Sequence, residues 1–390
     1  MTIITQQSEQ DGWIMATNGR NAEYTKEYNR KKFLRLVRHQ PMSRAELARQ
    51  LGVTRAATSL IADELLREGW IMETAPTGTG VGRTPVPLAL HPEAGYAVGV
   101  YLNRNGCTAG IVSMDGRICV QERIHLDDTL NKVVHLADAI RKMSDAAQIP
   151  WDRILGVGIS APGPLDGESG RIINPPKFDL WHNVDIGTHL GNALGLPVYL
   201  ENDATCLARY NHGKPETKGS ENFLLLLVDS GVGSGLILNG KVLKGAGYFT
   251  GELGHISIDL HGNPCPCGNI GCLETYAAIP NLLRGTGFRS WKQVIENKND
   301  TAAAMLIQRE AEYLSAAIAS LINIVSLDTV LLAGELLFGA EEIAPMIEEM
   351  VNRRIMRRSI MPVRVLSSHS NPNATVLAAA DVVFGRYLSV

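Results

Sequence analysis

Cys265, Cys267 and Cys272 fall within eight residues, and His255 lies ten positions before the first of them. Three thiolates and one imidazole complete a tetrahedral zinc set with no position left open for water. The ion expected here is therefore structural Zn2+, and its task is to shape a loop. The alternative is three buried or oxidised cysteines. The Pro, Gly and Asn between the thiols favour tight turns around an ion. The same segment, GELGHISIDLHGNPCPCGNIGCLE from Gly251 to Glu274, carries Glu252 and Glu274. A loop of fixed shape could aim both carboxylates at a polar ligand.

The elements that would position these groups belong to a chain of 390 residues, long enough for two or three domains. Hydrophobic content of 45% and charged content of 20% fit a soluble globular protein with sizeable cores. A net charge of −3 predicts no general attraction to nucleic acid or membrane, but residues 20–70 hold eleven Lys or Arg against six Asp or Glu. A local basic face is the useful signal. No segment approaches the ~18 uninterrupted apolar residues of a membrane helix, so no membrane insertion is expected. No basic-then-apolar run with a cleavage site opens the sequence. Six cysteines, half of them in the metal-like cluster, fit a reducing cytoplasm better than a disulfide framework, with Cys107, Cys119 and Cys206 read as core.

Residues 1–20 read as a flexible tail, and residues 21–92 as a winged helix-turn-helix. Phe33, Leu34, Leu36 and Val37 mark an amphipathic helix over about 25–39 that Pro41 stops. Ser43 is a plausible N-cap with Glu46 completing a capping box. Gly52 supplies a turn, Thr54 caps a third helix, and Gly69 ends it. Residues 70–73 and 86–90 then read as a hairpin whose tip is the Gly/Thr-rich stretch 77–82. Leu47, Leu51, Ile61, Leu65 and Leu66 would form the small core. Arg55, Ala56 and Ser59 would face outward for entry into a major groove, with Ser43, Arg44 and Thr54 beside them. Lys31, Lys32, Arg35 and Arg44 could neutralise phosphates, and Arg83 in the wing could reach phosphate or a minor groove. The competing reading is a three-helix packing module with a solvated basic face. Thr58 stands where such a helix usually wants an aliphatic side chain.

After Pro92 strands and helices alternate. Residues 96–102, 107–113 and 117–122 read as a meander, with turns at Asn105-Gly106 and Asp115-Gly116. A helix over 130–147 and strands at 155–159 and 198–201 follow, then a helix from about 204. Residues 223–228 and 236–238 are strands around the Gly231, Gly233 and Gly235 loop. A helix over 302–324, a strand at 329–332 and a helix over 374–388 close the chain. Two β-β-β-α-β-α units in tandem are implied, giving a two-lobed α/β architecture with a cleft. The lobes are expected at 93–202 and 203–390, the second with the zinc loop 255–272 and a C-terminal helix returning to the first. Asp203 by itself reads as a helix cap, since a strand hands over to a helix there.

With these pieces in place the chain resembles the ROK family (repressors, open reading frames and sugar kinases), over nearly its whole length. The residues that carry the resemblance are LENDAT at 200–205, DSGVGSGLILNGKVLKGAGYFTGELGH, CPCGNIGCLE and the wing sequence GRTPVPL. It is the regulator branch that is resembled, because the family's kinases lack the N-terminal winged helix. The resemblance implies an actin-like ATPase / sugar kinase fold, usually in a homodimer or homotetramer. It implies that Asn202 and Asp203 bind sugar hydroxyls, Asp203 being the general base in kinases, and that Glu252, His255 and Glu274 complete the sugar contacts. His255, Cys265, Cys267 and Cys272 resemble the zinc ligands, His255 serving the ion with one nitrogen and the sugar with the other.

The departures choose the branch. The first phosphate loop of the family's kinases reads Gly-x-Asp-x-Gly-Gly-Thr, whereas here Tyr101 replaces the Asp and Asn103 and Arg104 replace the glycines. Neither a phosphate cradle nor a Mg2+ carboxylate remains. Asp229 opens the second loop with a charge that repels phosphate, and Gly231–Gly235 reads better as a tight strand-to-strand turn. The late Gly-Gly is Ala333-Gly334 followed by Glu335. The expectation is a sugar-responsive transcriptional regulator, a repressor of carbohydrate uptake or catabolism genes. Its partners would be a double-stranded DNA operator and a monosaccharide or sugar-derivative effector, and it would not be an enzyme. The alternatives are an ATP-dependent sugar kinase carrying a DNA-binding head, and a scaffold whose output is a protein contact.

Overall fold

The computed structural model describes residues 22–75, 86–104, 106–126, 131–176, 178–245, 249–368, 371 and 373–389. The expected tail, the wing tip and Arg83 lie outside these residues. Contacts divide the chain into residues 1–91 with 388–390, and residues 92–387. The last three residues thus group with the first unit instead of the second lobe. Leu388 is buried, and the Ser389 carbonyl accepts from Lys31 Nζ at 3.4 Å.

In the first unit α1 (Ala22–His39) buries Phe33, Leu34 and Val37 from one stripe. Ser43 starts α2 (Arg44–Leu51): its Oγ accepts from Glu46 N while the Glu46 carboxylate accepts from Ser43 N, so two orphan donors are satisfied reciprocally. Gly52 ends it at φ 73°, a left-handed conformation that suits only glycine without strain. Thr54 caps α3 (Arg55–Arg67) by accepting from Ala57 N. The strands β1 (Ile71–Glu73) and β2 (Leu88–Leu90) pair antiparallel, and Met42 bridges to Leu88 from the other side. Leu47, Ala48, Leu51, Ile61, Ala62 and Leu65 fill the core, whereas Leu66 is only half-buried. Thr58 is fully buried in an aliphatic's place because its hydroxyl turns back to the Thr54 carbonyl, 3.1 Å away.

The second unit holds two five-stranded sheets of one topology. The first comprises β3 (Tyr96–Asn103), β4 (Gly106–Ser113), β5 (Ile118–Ile124), β6 (Ile154–Ala161) and, after a small three-stranded sheet of β7 (Leu165–Asp166), β8 (Arg171–Ile172) and β9 (Val184–Asp185), β10 (Val198–Asn202). Its order is β10-β6-β3-β4-β5, with an antiparallel meander joined to two parallel strands. The helices α4 (Lys132–Ala146) and α5 (Ile186–Leu194) bury Leu136, Ile140, Ile186 and Leu190 in its core. Cys119, read as core, is only half-buried on the edge strand β5.

After α6 (Asp203–Asn211) the plan repeats. The strands β11 (Phe223–Val228), β12 (Val232–Leu238) and β13 (Lys241–Val242) form the meander. The short helices α7 (Glu274–Ala277), α8 (Ile279–Leu282) and α9 (Trp291–Glu296) lead to α10 (Thr301–Ile322). Then β14 (Thr329–Gly334), α11 (Ala340–Arg354), β15 (Arg364–Ser367) and α12 (Ala374–Tyr387) complete the order β13-β12-β11-β14-β15. The run FLLLLV of β11 is buried throughout, as a strand covered on both faces must be. α12 leaves the second lobe and packs on β3 and β6 of the first. Gly99 and Gly158, paired in register, let it approach: a Cβ on Gly158 would lie 1.9 Å from the Ala379 carbonyl oxygen.

Candidate functional site

The metal segment is held by its own backbone. Ser257 bridges to Cys272 and Pro264 to Ile270, Cys265 N donates to Asn269 O, and Gly271 turns at φ 69° against the Asp259 carbonyl. These turns bring His255, Cys265, Cys267 and Cys272 together, their ligand atoms all within 4.8 Å of one another. Cys265 Sγ lies 3.7 Å from His255 Nδ1, and Cys267 Sγ lies 3.7 Å from Cys272 Sγ. A tetrahedron with bonds of ~2.3 Å has edges of about 3.8 Å, so the donor set fits Zn2+. Burial pushes the Cys265 thiol up, and burial with its two neighbouring thiols pushes Cys272 up to about 12. Cys265 and Cys272 thus resist ionisation alone, which a divalent cation would reverse.

The same segment closes one side of a cleft between the lobes. Tyr101, Asn103 and Arg104 come from the end of β3, Pro162 and Gly163 from the loop after β6, and Asn202 and Asp203 from the β10–α6 junction. Asp229 to Gly231 come from the β11–β12 turn and Glu335 from the end of β14, and Glu252, His255 and Glu274 complete the lining. Ligand groups thus gather at the carboxyl ends of parallel strands, where open α/β sheets bind small molecules. Among the predicted residues, Asn202, Asp203, Glu252, His255 and Glu274 all line this one cleft. His255 turns Nδ1 to Cys265 and Nε2 toward Glu252, 4.0 Å from its carboxylate. The helix cap is Asn202, which accepts from Thr205 N, and not Asp203, whose Oδ1 accepts from the adjacent Ala204 N. Glu274 is partly committed, since its Oε2 accepts from Val232 N at 2.9 Å.

Arg104, read in the sequence only as a lost glycine, is the main addition. Its Nη1 donates to Ser230 Oγ at 3.1 Å and its Nε to the Pro176 carbonyl at 3.0 Å, so a first-lobe cation is tied to the second lobe's turn. A Cβ on Gly231 would sit 2.9 Å from that guanidinium, and one on Gly235 would sit 2.5 Å from the Ala204 carbonyl. These glycines serve close packing against Arg104 and α6. Asp229 N donates to Gly231 O, the tight turn expected there. The sequence signal for its role was the charged side chain standing where the kinases' phosphate loop has a glycine.

Burial, more than charge crowding, sets the cleft's titration. Burial pushes Asp203 up to about 6, opposed by the Ala204 N–H and the Arg104 cation. Burial, then Glu335 and Asp203, pushes Asp229 up to about 6. Glu252 rises through burial, tempered by His255, and burial raises the Tyr101 hydroxyl. The cleft offers several fixed acceptors and donors at once, which suits a polyhydroxyl ligand better than an anion.

On the first unit, Arg55 and Ala56 are exposed at the start of α3, and Ser59 is half-buried one turn on. Arg55 has no side-chain partner among the described residues. The Ser43 and Thr54 hydroxyls are occupied as caps, and Arg44 is paired with Asp63 at 3.0 Å. A DNA role for these three competes with those contacts.

Known proteins agree with this organisation. A MarR family profile matches residues 34–78, and the ROK family profile matches residues 97–385. The xylose repressor of Bacillus subtilis is 25% identical over 377 residues, covering 94% of this chain and 97% of that protein. The DNA-binding transcriptional dual regulator NagC of Escherichia coli is 26% identical over 365 residues, covering 88% of this chain and 89% of NagC. A solved ROK family transcriptional regulator, a homologue of the E. coli MLC protein, aligns with a TM-score of 0.78 at 26% identity, over 93% of this chain and 96% of that one. With the ROK profile running over more than half of its length, from the start of β3 to α12, the chain belongs to the ROK family.

Proposed function

We propose that the chain is a sugar-responsive DNA-binding transcriptional repressor of genes for carbohydrate uptake or catabolism, working in the cytoplasm as a homo-oligomer. What supports this reading is a winged helix-turn-helix head on the same chain as a cleft that gathers Asn202, Asp203, Glu252, His255 and Glu274, with Arg104 tied to Ser230 beside them. A neutral sugar would exchange hydroxyl hydrogen bonds with Asn202, Asp203, Glu252 and Glu274. Closing the lobes around it would shift the spacing of the recognition helices in a dimer, and thus operator affinity. His255, Cys265, Cys267 and Cys272 would hold Zn2+, which fixes the loop that carries the cleft's carboxylates.

A gel shift on the DNA upstream of the chain's own coding region, across monosaccharides and their phosphates, tests this reading. A specific shift altered by one sugar is the expected result; a shift indifferent to every sugar would remove the effector role. Arg55→Ala should weaken specific operator binding by ~1–3 kcal/mol, and unchanged affinity would take Arg55 out of the interface. The competing reading, an ATP-dependent sugar kinase, rests on Asp203, a carboxylate poised as a general base. Tyr101, Arg104, Asp229 and Glu335 oppose it, because they leave a nucleotide's phosphates facing carboxylates without a glycine cradle. ADP release on sugar addition would overturn the repressor-only reading.

A further inference from the structure

Beside the cleft, on the first lobe, lies a second cavity of about 270 Å3. Leu126, Phe178, Leu180 and Trp181 give it an apolar wall, and Asn103 and Asp179 add polar groups. Asn103 and Arg104 also line the cleft, so the two spaces meet at this residue pair. The segment between β8 and β9 serves both as well, with Pro176 on the cleft and Phe178 to Trp181 on the cavity.

That wall is held in place from behind. Phe178 and Trp181 are buried and stack, their ring centroids 6.3 Å apart. Lys132 donates to the Leu180 carbonyl and sets its ammonium 5.2 Å from the centre of the Trp181 ring. His182 Nε2 lies 2.8 Å from the Pro175 carbonyl oxygen and closes the same turn. Leu180 is nevertheless 43% exposed at the cavity, so a ligand that covered it would gain apolar burial at a site already ordered.

Size and lining narrow the occupant. The cleft offers about 140 Å3. A cavity of ~150 Å3 holds one six-membered ring, so the cleft takes one sugar ring and the cavity beside it has room for a second. A sugar carries an apolar C–H face and a rim of hydroxyls, which matches Leu126 and Leu180 on one side and Asp179 on the other. A phosphate would meet the Asp179 carboxylate, while the Arg104 cation is committed to Ser230 and the Pro176 carbonyl. A bare hydrocarbon would desolvate Asp179 and return no hydrogen bond. Given a sugar-binding cleft, we propose that this cavity is a second saccharide subsite: the effector is a disaccharide, with one ring on Asn202, Asp203, Glu252 and Glu274, the other against Leu126, Leu180 and Asp179, and the glycosidic bond passing beside Asn103 and Arg104.

Isothermal titration of the full chain tests the proposal. The probes are glucose, xylose and N-acetylglucosamine, their disaccharides cellobiose, maltose, xylobiose and chitobiose, and the phenyl glycosides of the three monosaccharides. One disaccharide should bind at least roughly tenfold tighter than its monosaccharide. Leu180→Trp fills the cavity from an exposed position, so it should erase that advantage, leave monosaccharide affinity within about twofold, and leave the circular dichroism unchanged. Asp179→Ala, at another exposed residue, should lower disaccharide affinity at least about threefold and again spare the monosaccharide. Monosaccharides that bind as tightly as every disaccharide, or a disaccharide advantage that both variants leave intact, would overturn the second subsite and keep the sugar-binding cleft. A phenyl glycoside that outbinds every disaccharide would make the cavity an apolar pocket and overturn the second sugar. If no saccharide of either size binds, the sugar-binding cleft falls together with the subsite.

Discussion

The carboxyl group of Asp203 works against the fold wherever it is charged. Its folded value of about 6 stands above the 3.8 usual for an aspartate, with burial the largest cause. Below pH ~3.8 both folded and unfolded forms carry the proton, and the group contributes nothing. As pH rises toward 6 the unfolded chain releases the proton while the fold retains it, and above 6 the full penalty is present, ~1–3 kcal/mol at ~1.4 per unit. Asp203→Asn removes the charge and keeps an acceptor for Ala204 N–H. The urea midpoint should therefore rise at pH 7.5 and show no gain near pH 3.5, while sugar affinity falls at least tenfold as a hydroxyl acceptor is lost. A variant less stable at pH 7.5 would mean that pairing with Arg104 outweighs burial. Little of this was legible in the sequence. A strand-to-helix junction suggests a cap, but only the fold decides that Asn202 does the capping and that Asp203 faces Arg104 across the cleft.

At the scale of elements, the association of α12 with the first sheet depends on side chains that are missing. Gly110, Gly99 and Gly158 lie side by side on β4, β3 and β6, and Val376 and Ala379 of α12 sit over them. A Cβ on Gly99 would lie 2.1 Å from the Val376 carbonyl oxygen, and the conflict at Gly158 is with backbone too, so no rotamer change relieves it. Gly158→Ala should cost about 1–3 kcal/mol and open α12 to limited proteolysis before the rest of the second unit; unchanged protection would show that the strand can yield. The strands of this groove were readable from alternation and from the Asn-Gly and Asp-Gly turns, and the helices of the head from their caps. The groove was not, because a glycine in a strand signals a close approach without naming what approaches. α11 was not readable either. Pro345 lies inside it and its charges are mixed, so its helicity rests on burying Ile343, Ile347 and Val351 against the core. Local pattern finds elements that hold themselves, and tertiary packing makes the others.

For the whole molecule, the cluster of His255, Cys265, Cys267 and Cys272, proposed to hold zinc, shares one segment with the cleft's carboxylates Glu252 and Glu274. Cys272 lies two residues before Glu274, which accepts from Val232 N at the β11–β12 turn, and His255 stands between the thiols and Glu252. Loss of the ion would release both glutamates from their fixed positions without touching Arg55, whose helix rests on the separate core of Leu47, Ile61 and Leu65. Cys267→Ser is suited to test this, because Cys267 is the exposed member of the set and its removal opens no buried cavity. The purified variant should lose its zinc, bind operator DNA within about twofold of the wild type, and no longer change that binding when sugar is added. Metal analysis and a gel shift on the same preparation read all three. Parallel loss of zinc and response would make the ion a part of the sugar switch. If the response survives in metal-free protein, the ion only staples a loop that β12 and α7 already hold, and Glu252 and Glu274 owe their geometry to the sheet.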